Sequence, residues 1–129
     1  MRYLTGADIL IIHSEIIDAS GGLHGVRDVN LLASIIHKPQ LVLAGQEQYP
    51  TVHAKAAAYL EAFTQFHVFN DGNKRTGLVT AARFLFISGW EFKATNRTAE
   101  NFIMDVVVKK KVDIIIISKW LMKNSKKFK

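Results

Sequence analysis

The chain has 129 residues, 49% of them hydrophobic and 22% charged, which suits one soluble domain with a single core. It contains no cysteine, which excludes disulfides and thiolate metal sites and fits a reducing compartment. Lys and Arg number 17 against 11 Asp and Glu, and this net charge of +6 favours acidic partners: nucleotides, nucleic acid or an acidic protein.

No segment approaches the ~18 apolar residues of a membrane helix. The N-terminal MRYLTGADILIIH is interrupted by Asp8 and His13 and lacks a signal-peptide layout, so a cytoplasmic location is expected. No repeat or linker divides residues 1–129, and a single domain is the reading.

Helical periodicity dominates. Thr5 opens a capping-box-like TGAD, and Ile9, Ile12, Ile16 and Ile17 follow at helical spacing until Gly21 and Gly22 stop the run. Asp28 caps a short helix through Leu31, Leu32, Ile35 and Ile36, ended before Pro39. Residues 40–50 show no clean period and read as an extended flap. Thr51 caps a long Ala-rich helix over roughly 52–67, whose Ala54, Ala57 and Ala58 would allow close packing.

A polar segment, HVFNDGNKRTG at 67–77, comes next. Helical spacing resumes through Leu78, Ala82, Leu85 and Phe86 and closes at Gly89. WEFK suits a short strand, Thr98 opens a helix through Phe102, Met104 and Val107, and Asp113 caps a last one. The terminal KNSKKFK reads as a solvated end. Phe63, Phe66, Phe84, Phe86, Trp90 and Trp120 are expected in the core. The predicted fold is all-α, a bundle of about six helices with the 67–77 segment between two central ones.

That segment has the chemistry of an anion site. A helix starting after Gly72 leaves its first N–H groups unpaired at the positive end of its dipole. Gly72 removes the side chain that would block a phosphate, and Gly72 and Asn73 suit an N–H cradle. Lys74 and Arg75 add two cations in the first turn, where helix stability alone would favour acids. Asp71 suits Mg²⁺, which takes one or two carboxylates plus phosphate oxygens. His67 can accept a hydroxyl proton, and Phe69 reads as the apolar pin of the loop. Singly, Asp71 is also an N-cap, His67 a helix-end histidine, and Lys74 or Arg75 a surface charge; their joint spacing favours the site. His13, His24, His37 and His53 show no mutual metal-ligand spacing and read as structural or exposed.

His67-Val-Phe69-Asn-Asp71-Gly72-Asn73-Lys74-Arg75 resembles the signature of the Fic/Doc superfamily in its death-on-curing toxin form. GGLHGVRD at 21–28, YP at 49–50 and AKAAAYL at 54–60 extend the resemblance over nearly the whole chain. It implies a toxin kinase of a toxin–antitoxin system. Such an enzyme uses Mg²⁺ and ATP or another nucleoside triphosphate to phosphorylate a Thr or Ser hydroxyl of a translation factor, elongation factor Tu. The outcome would be arrested translation.

By the same resemblance His67 is the general base, Asp71 holds the metal, and Gly72 and Asn73 cradle phosphate. Lys74 and Arg75 bind phosphates and stabilise the transition state, Phe69 is structural, and the flap aligns the target segment. A Phd-like antitoxin, acidic and partly disordered, is the implied partner.

Most Fic members carry HPFxxGNGRxxR and transfer AMP. Here Val68 replaces the proline, Lys74 a glycine and Leu78 the second arginine, which favours γ-phosphate transfer over AMP transfer. No [S/T]xxxE[G/N] inhibitory pattern is present, so inhibition is expected from a separate protein. A basic nucleic-acid-binding module is the remaining alternative. It would spread its cations along a groove with interleaved aromatics, whereas these are concentrated in one loop beside an acid, which argues against nucleic acid as a direct ligand.

Overall fold

Side-chain caps start most of the helices. In the computed structural model, which describes residues 1–128, Thr5, Asp28, Thr51, Thr95 and Asp113 each accept a main-chain N–H in the first turn that follows. The helices they open are α1 (Gly6–Ser20), α2 (Val29–His37), α3 (Val52–Gln65), α5 (Asn96–Phe102) and α6 (Ile114–Lys123). The remaining helix, α4 (Asn73–Ile87), starts at Gly72 with no side-chain cap. The all-α expectation holds, and so do the caps at Thr5, Asp28, Thr51 and Asp113. The fifth helix begins earlier than expected: Thr95 has the extended backbone a cap requires, and Thr98 lies inside the first turn.

Helix α3 is the centre. Ala56, Ala57, Ala58, Tyr59, Leu60, Ala62 and Phe63 are all fully buried, and α3 packs chiefly against α4 and α6. Burying Leu60 and Phe63 contributes about 1.5–3 kcal/mol each. The α3–α4 approach depends on Gly77: a Cβ there would lie 3.1 Å from both the Leu60 carbonyl oxygen and Phe63 Cβ. Phe84 is buried between Tyr3 and Tyr59. Phe66 and Phe86, expected in the core, are instead about half exposed. Phe66 follows the last turn of α3, and Phe86 packs on the surface with Phe128 and Arg83.

Residues 40–50 form a small hairpin, β1 (Val42–Leu43) paired antiparallel with β2 (Gln46–Glu47). Its base is fixed from α3. Lys55, only 2% exposed, donates to the carbonyls of Pro39 (3.1 Å) and Tyr49 (2.6 Å) and to Glu47 Oε1 (3.2 Å).

At the other end of the molecule β3 (Trp90–Phe92) pairs with β4 (Ser125–Lys127). The tail is therefore a strand rather than a free solvated end, although Lys126 and Lys127 point their charges outward; Lys129 lies outside the described residues. Between α5 and α6 the chain widens into a π-helical stretch, Ile103–Val108. The Val107 carbonyl there accepts the Gln65 side-chain amide at 2.8 Å. No helix among the described residues is long and apolar enough to cross a membrane.

Candidate active site

The loop between α3 and α4 carries the 67–77 segment, and its main chain is braced from three sides. Val68 and Phe69 are fully buried. The Val68 carbonyl accepts the N–H groups of Arg27 (2.8 Å) and Asp28 (3.1 Å), Val26 bridges to Phe69, and Asn70 N–H donates to Gly25 (3.2 Å). The GGLHGVRD segment thus runs alongside the loop, joined to it by a single β-bridge and flanking hydrogen bonds. Beneath it, Phe69 stacks between His13 and Phe63, with ring centroids 3.8 and 5.9 Å away. Phe69 is the apolar pin expected of it.

Asn73 supplies the third brace. Its side-chain oxygen accepts Phe69 N–H at 2.9 Å and its side-chain amide donates to the Phe69 carbonyl at 3.0 Å. The expectation that Asn73 helps cradle phosphate therefore rests on its main-chain N–H, because the side chain is engaged within the loop. Gly72 has φ +78°, and a Cβ there would also lie 3.0 Å from Ile17 Cδ1. Both the left-handed backbone and the close approach to α1 require glycine. With that uncapped start, the first-turn N–H groups of Asn73, Lys74 and Arg75 have no partner from their own helix. The result is a positive, donor-rich end.

Asp71 does not cap α4. Its Oδ2 accepts the N–H of Leu23 at 2.7 Å, and its carbonyl oxygen lies 2.8 Å from His13 Nε2. The cap position belongs to Gly72, and the carboxylate turns to the 22–28 arm, which leaves Oδ1 free on an exposed side chain. That fits a divalent cation taking one protein oxygen and drawing the rest of its shell from phosphates and water. Among the described residues no three His, Asp or Glu side chains converge.

His67 lies beyond the end of α3, which stops at Gln65, and not on the helix itself. Phe66 takes extended backbone, and His67 is exposed with no side-chain hydrogen bond among the described residues. Its imidazole is accessible to an incoming group.

Lys74 and Arg75 open onto a cavity of about 540 Å³ between α4 and the α5 region. Leu78, Val79, Ile103 and Met104 form its apolar wall, and Asn96 and Glu100 its polar edge. Arg75 Nη2 lies 3.0 Å from Glu100 Oε1, a pair in which both side chains are more than half exposed. His67, Asp71, Gly72 and Asn73 do not line the cavity; they precede Lys74 and Arg75 in the chain, and Asp71 and Gly72 pack toward α1 and the 22–28 arm. Sequence spacing alone missed His13, Leu23 and Glu100. Each reaches the site from a distant segment, and only His13 carried a chemical hint.

These features match known proteins. The Fic/DOC family matches residues 3–85. A protein named Toxin Doc from Mycolicibacterium smegmatis is 39% identical over 93 residues, 72% of this chain and 69% of its own length. One named Protein kinase doc, from Escherichia phage P1, is 35% identical over 89 residues, 69% of this chain and 70% of its own. The matched span includes α1, the 22–28 arm, the flap, α3, the loop and most of α4. The chain belongs to the Fic/DOC family.

Proposed function

We propose that this chain is a toxin kinase that moves the γ-phosphate of a nucleoside triphosphate to a Thr or Ser hydroxyl of a target protein. One observation carries the reading. Lys74 and Arg75 sit on the first turn of the one described α-helix without a side-chain cap, where helix stability would favour acids, and both face a cavity large enough for a nucleoside. A bound polyphosphate removes that conflict. The similarity to a protein named as a kinase supports the same direction.

In this reading the exposed His67 imidazole takes the proton of the target hydroxyl. The freed oxygen forms a bond to the γ-phosphorus as the bond to the β–γ bridging oxygen breaks, and the nucleoside diphosphate leaves. Lys74, Arg75 and the open N–H groups of α4 hold the phosphate oxygens as charge spreads over them. Asp71 would hold Mg²⁺ through its free oxygen, and that ion would supply charge neutralisation at the phosphates. The apolar wall from Leu78 to Met104 would receive the nucleoside.

Leu78 forms that wall where AMP-transferring relatives of the resembled pattern carry an arginine, which weighs against AMP transfer. The target is a translation factor, with elongation factor Tu foremost, and the inhibitor an acidic, partly disordered antitoxin suited to the +6 chain. The site of action is the cytoplasm. The test uses Mg²⁺, a bacterial lysate and ATP labelled at the α- or the γ-phosphate. Transfer of the γ-label alone to protein is the expected result, and transfer of the α-label alone would overturn the proposal.

A further inference from the structure

His13 belongs to none of the groups given a chemical task above, yet it is 4% exposed and touches the loop twice. Its ring stacks on Phe69 at 3.8 Å and 9°, and its Nε2 lies 2.8 Å from the Asp71 carbonyl oxygen. A carbonyl can only accept, so Nε2 carries the proton and donates. Asp71 is thereby tethered at two points. His13 holds its main chain from α1, and Leu23 N–H holds its carboxylate from the segment after α1. The two tethers come from one continuous stretch of chain and engage the main chain and Oδ2, so that Oδ1 has no partner among the described residues.

We propose that His13 is a positioning residue for Asp71. It fixes the loop so that the free carboxylate oxygen meets the cation of the same phosphate group whose oxygens the open end of α4 receives. This rests on the reading of Asp71 as a metal ligand. A general apolar filler at position 13 could keep the stack but not the donor, and that difference makes the role measurable. Partners that orient a metal ligand typically change metal affinity by about 10–100-fold when lost.

The experiment follows Mn²⁺ binding by the intact chain with ADP present, read from the loss of the free-ion electron paramagnetic resonance signal beyond that caused by the same ADP without protein, so no transfer reaction is needed. His13→Phe, which keeps the stack, is expected to weaken Mn²⁺ binding about tenfold. His13→Gln, which places an N–H at similar reach, should stay within about threefold of the parent. Unchanged affinity in His13→Phe overturns the inference, as does a His13→Gln variant as weak as His13→Phe, since a restored donor would then fail to restore binding. Parent protein that takes up no Mn²⁺ with ADP defeats the metal reading of Asp71 itself, and the inference with it. Nitrogen-15 spectra of the parent's His13 ring check the donor without any variant: Nε2 should be protonated, and an unprotonated Nε2 overturns the assignment.

Discussion

The two connections that flank α3 are built in opposite ways. The loop after it is short, buried at Val68 and Phe69, and braced by the 22–28 arm, by His13 and by Asn73. The flap before it is exposed from Leu41 to Gln48 and held mainly at its base, where one buried ammonium ties both ends. The loop is over-determined, which suits the proposed chemistry on phosphate, where donors need to be fixed to within fractions of an ångström. A surface that meets a protein partner gains from local opening, and few buried contacts provide it. In the proposed function, the difference would separate a rigid reacting end of α3 from an adaptable docking end.

The strongest test of this division removes chemistry without removing a brace. His67 is exposed and unbonded, so His67→Ala should leave the melting temperature unchanged while lowering label transfer by about 10²–10⁴-fold. A variant that keeps full transfer would show that the rigid loop holds some other reacting group.

At the flap, Lys55→Met is the matching test. It keeps the buried stem and deletes the ammonium, leaving the Pro39 and Tyr49 carbonyls without their donor, at about 1–3 kcal/mol for each. Hydrogen exchange should accelerate across residues 40–50 and stay unchanged at 68–73. Acceleration in both would mean the two ends of α3 are one cooperative unit.

What the sequence revealed and concealed divides along similar lines. Caps at Thr5, Asp28, Thr51 and Asp113 were legible because a cap and its helix are neighbours in the chain. The flap was legible from its lack of period. Six groups of the candidate site could be proposed together because they share one short segment. The two tethers on Asp71 were not, because His13 and Leu23 are 58 and 48 residues away. Strand β4 was hidden for a related reason: SKK has no apolar alternation, and its pairing with Trp90–Phe92 is set by where α6 ends. The engagement of Asn73 with Phe69 was invisible too, since an amide at a helix start serves a ligand or its own loop equally well.

Acid probes the start of α3. His53, at the start of α3, bonds to Ser125 and is edge-on to Trp90, and its burial lowers its pKa below the ordinary 6.5. The unfolded chain titrates near 6.5 and therefore binds more protons there than the folded one. Stability is retained above that pH and falls as pH drops below it, by at most about 1.4 kcal/mol per pH unit. Melting temperatures between pH 7 and 5 should show this slope, and His53→Gln should flatten it. A slope unchanged in the variant would assign the effect to another group.

The smallest expected effect lies where the rigid end meets the cavity. Glu100 holds Arg75 at 3.0 Å, but both side chains are more than half exposed, so water and salt screen the pair. Its removal should hardly move the melting temperature. A polyphosphate arriving at Arg75 nevertheless meets a carboxylate of its own sign, and Glu100→Gln keeps the shape while deleting that charge. The expected outcome is a KM for the nucleoside triphosphate lowered about two- to fivefold with kcat unchanged, in keeping with the ~0.2–1 kcal/mol typical of exposed pairs. A raised KM would mean that Glu100 aims Arg75 at the phosphates. The bracing of the reacting end would then extend across the cavity to α5.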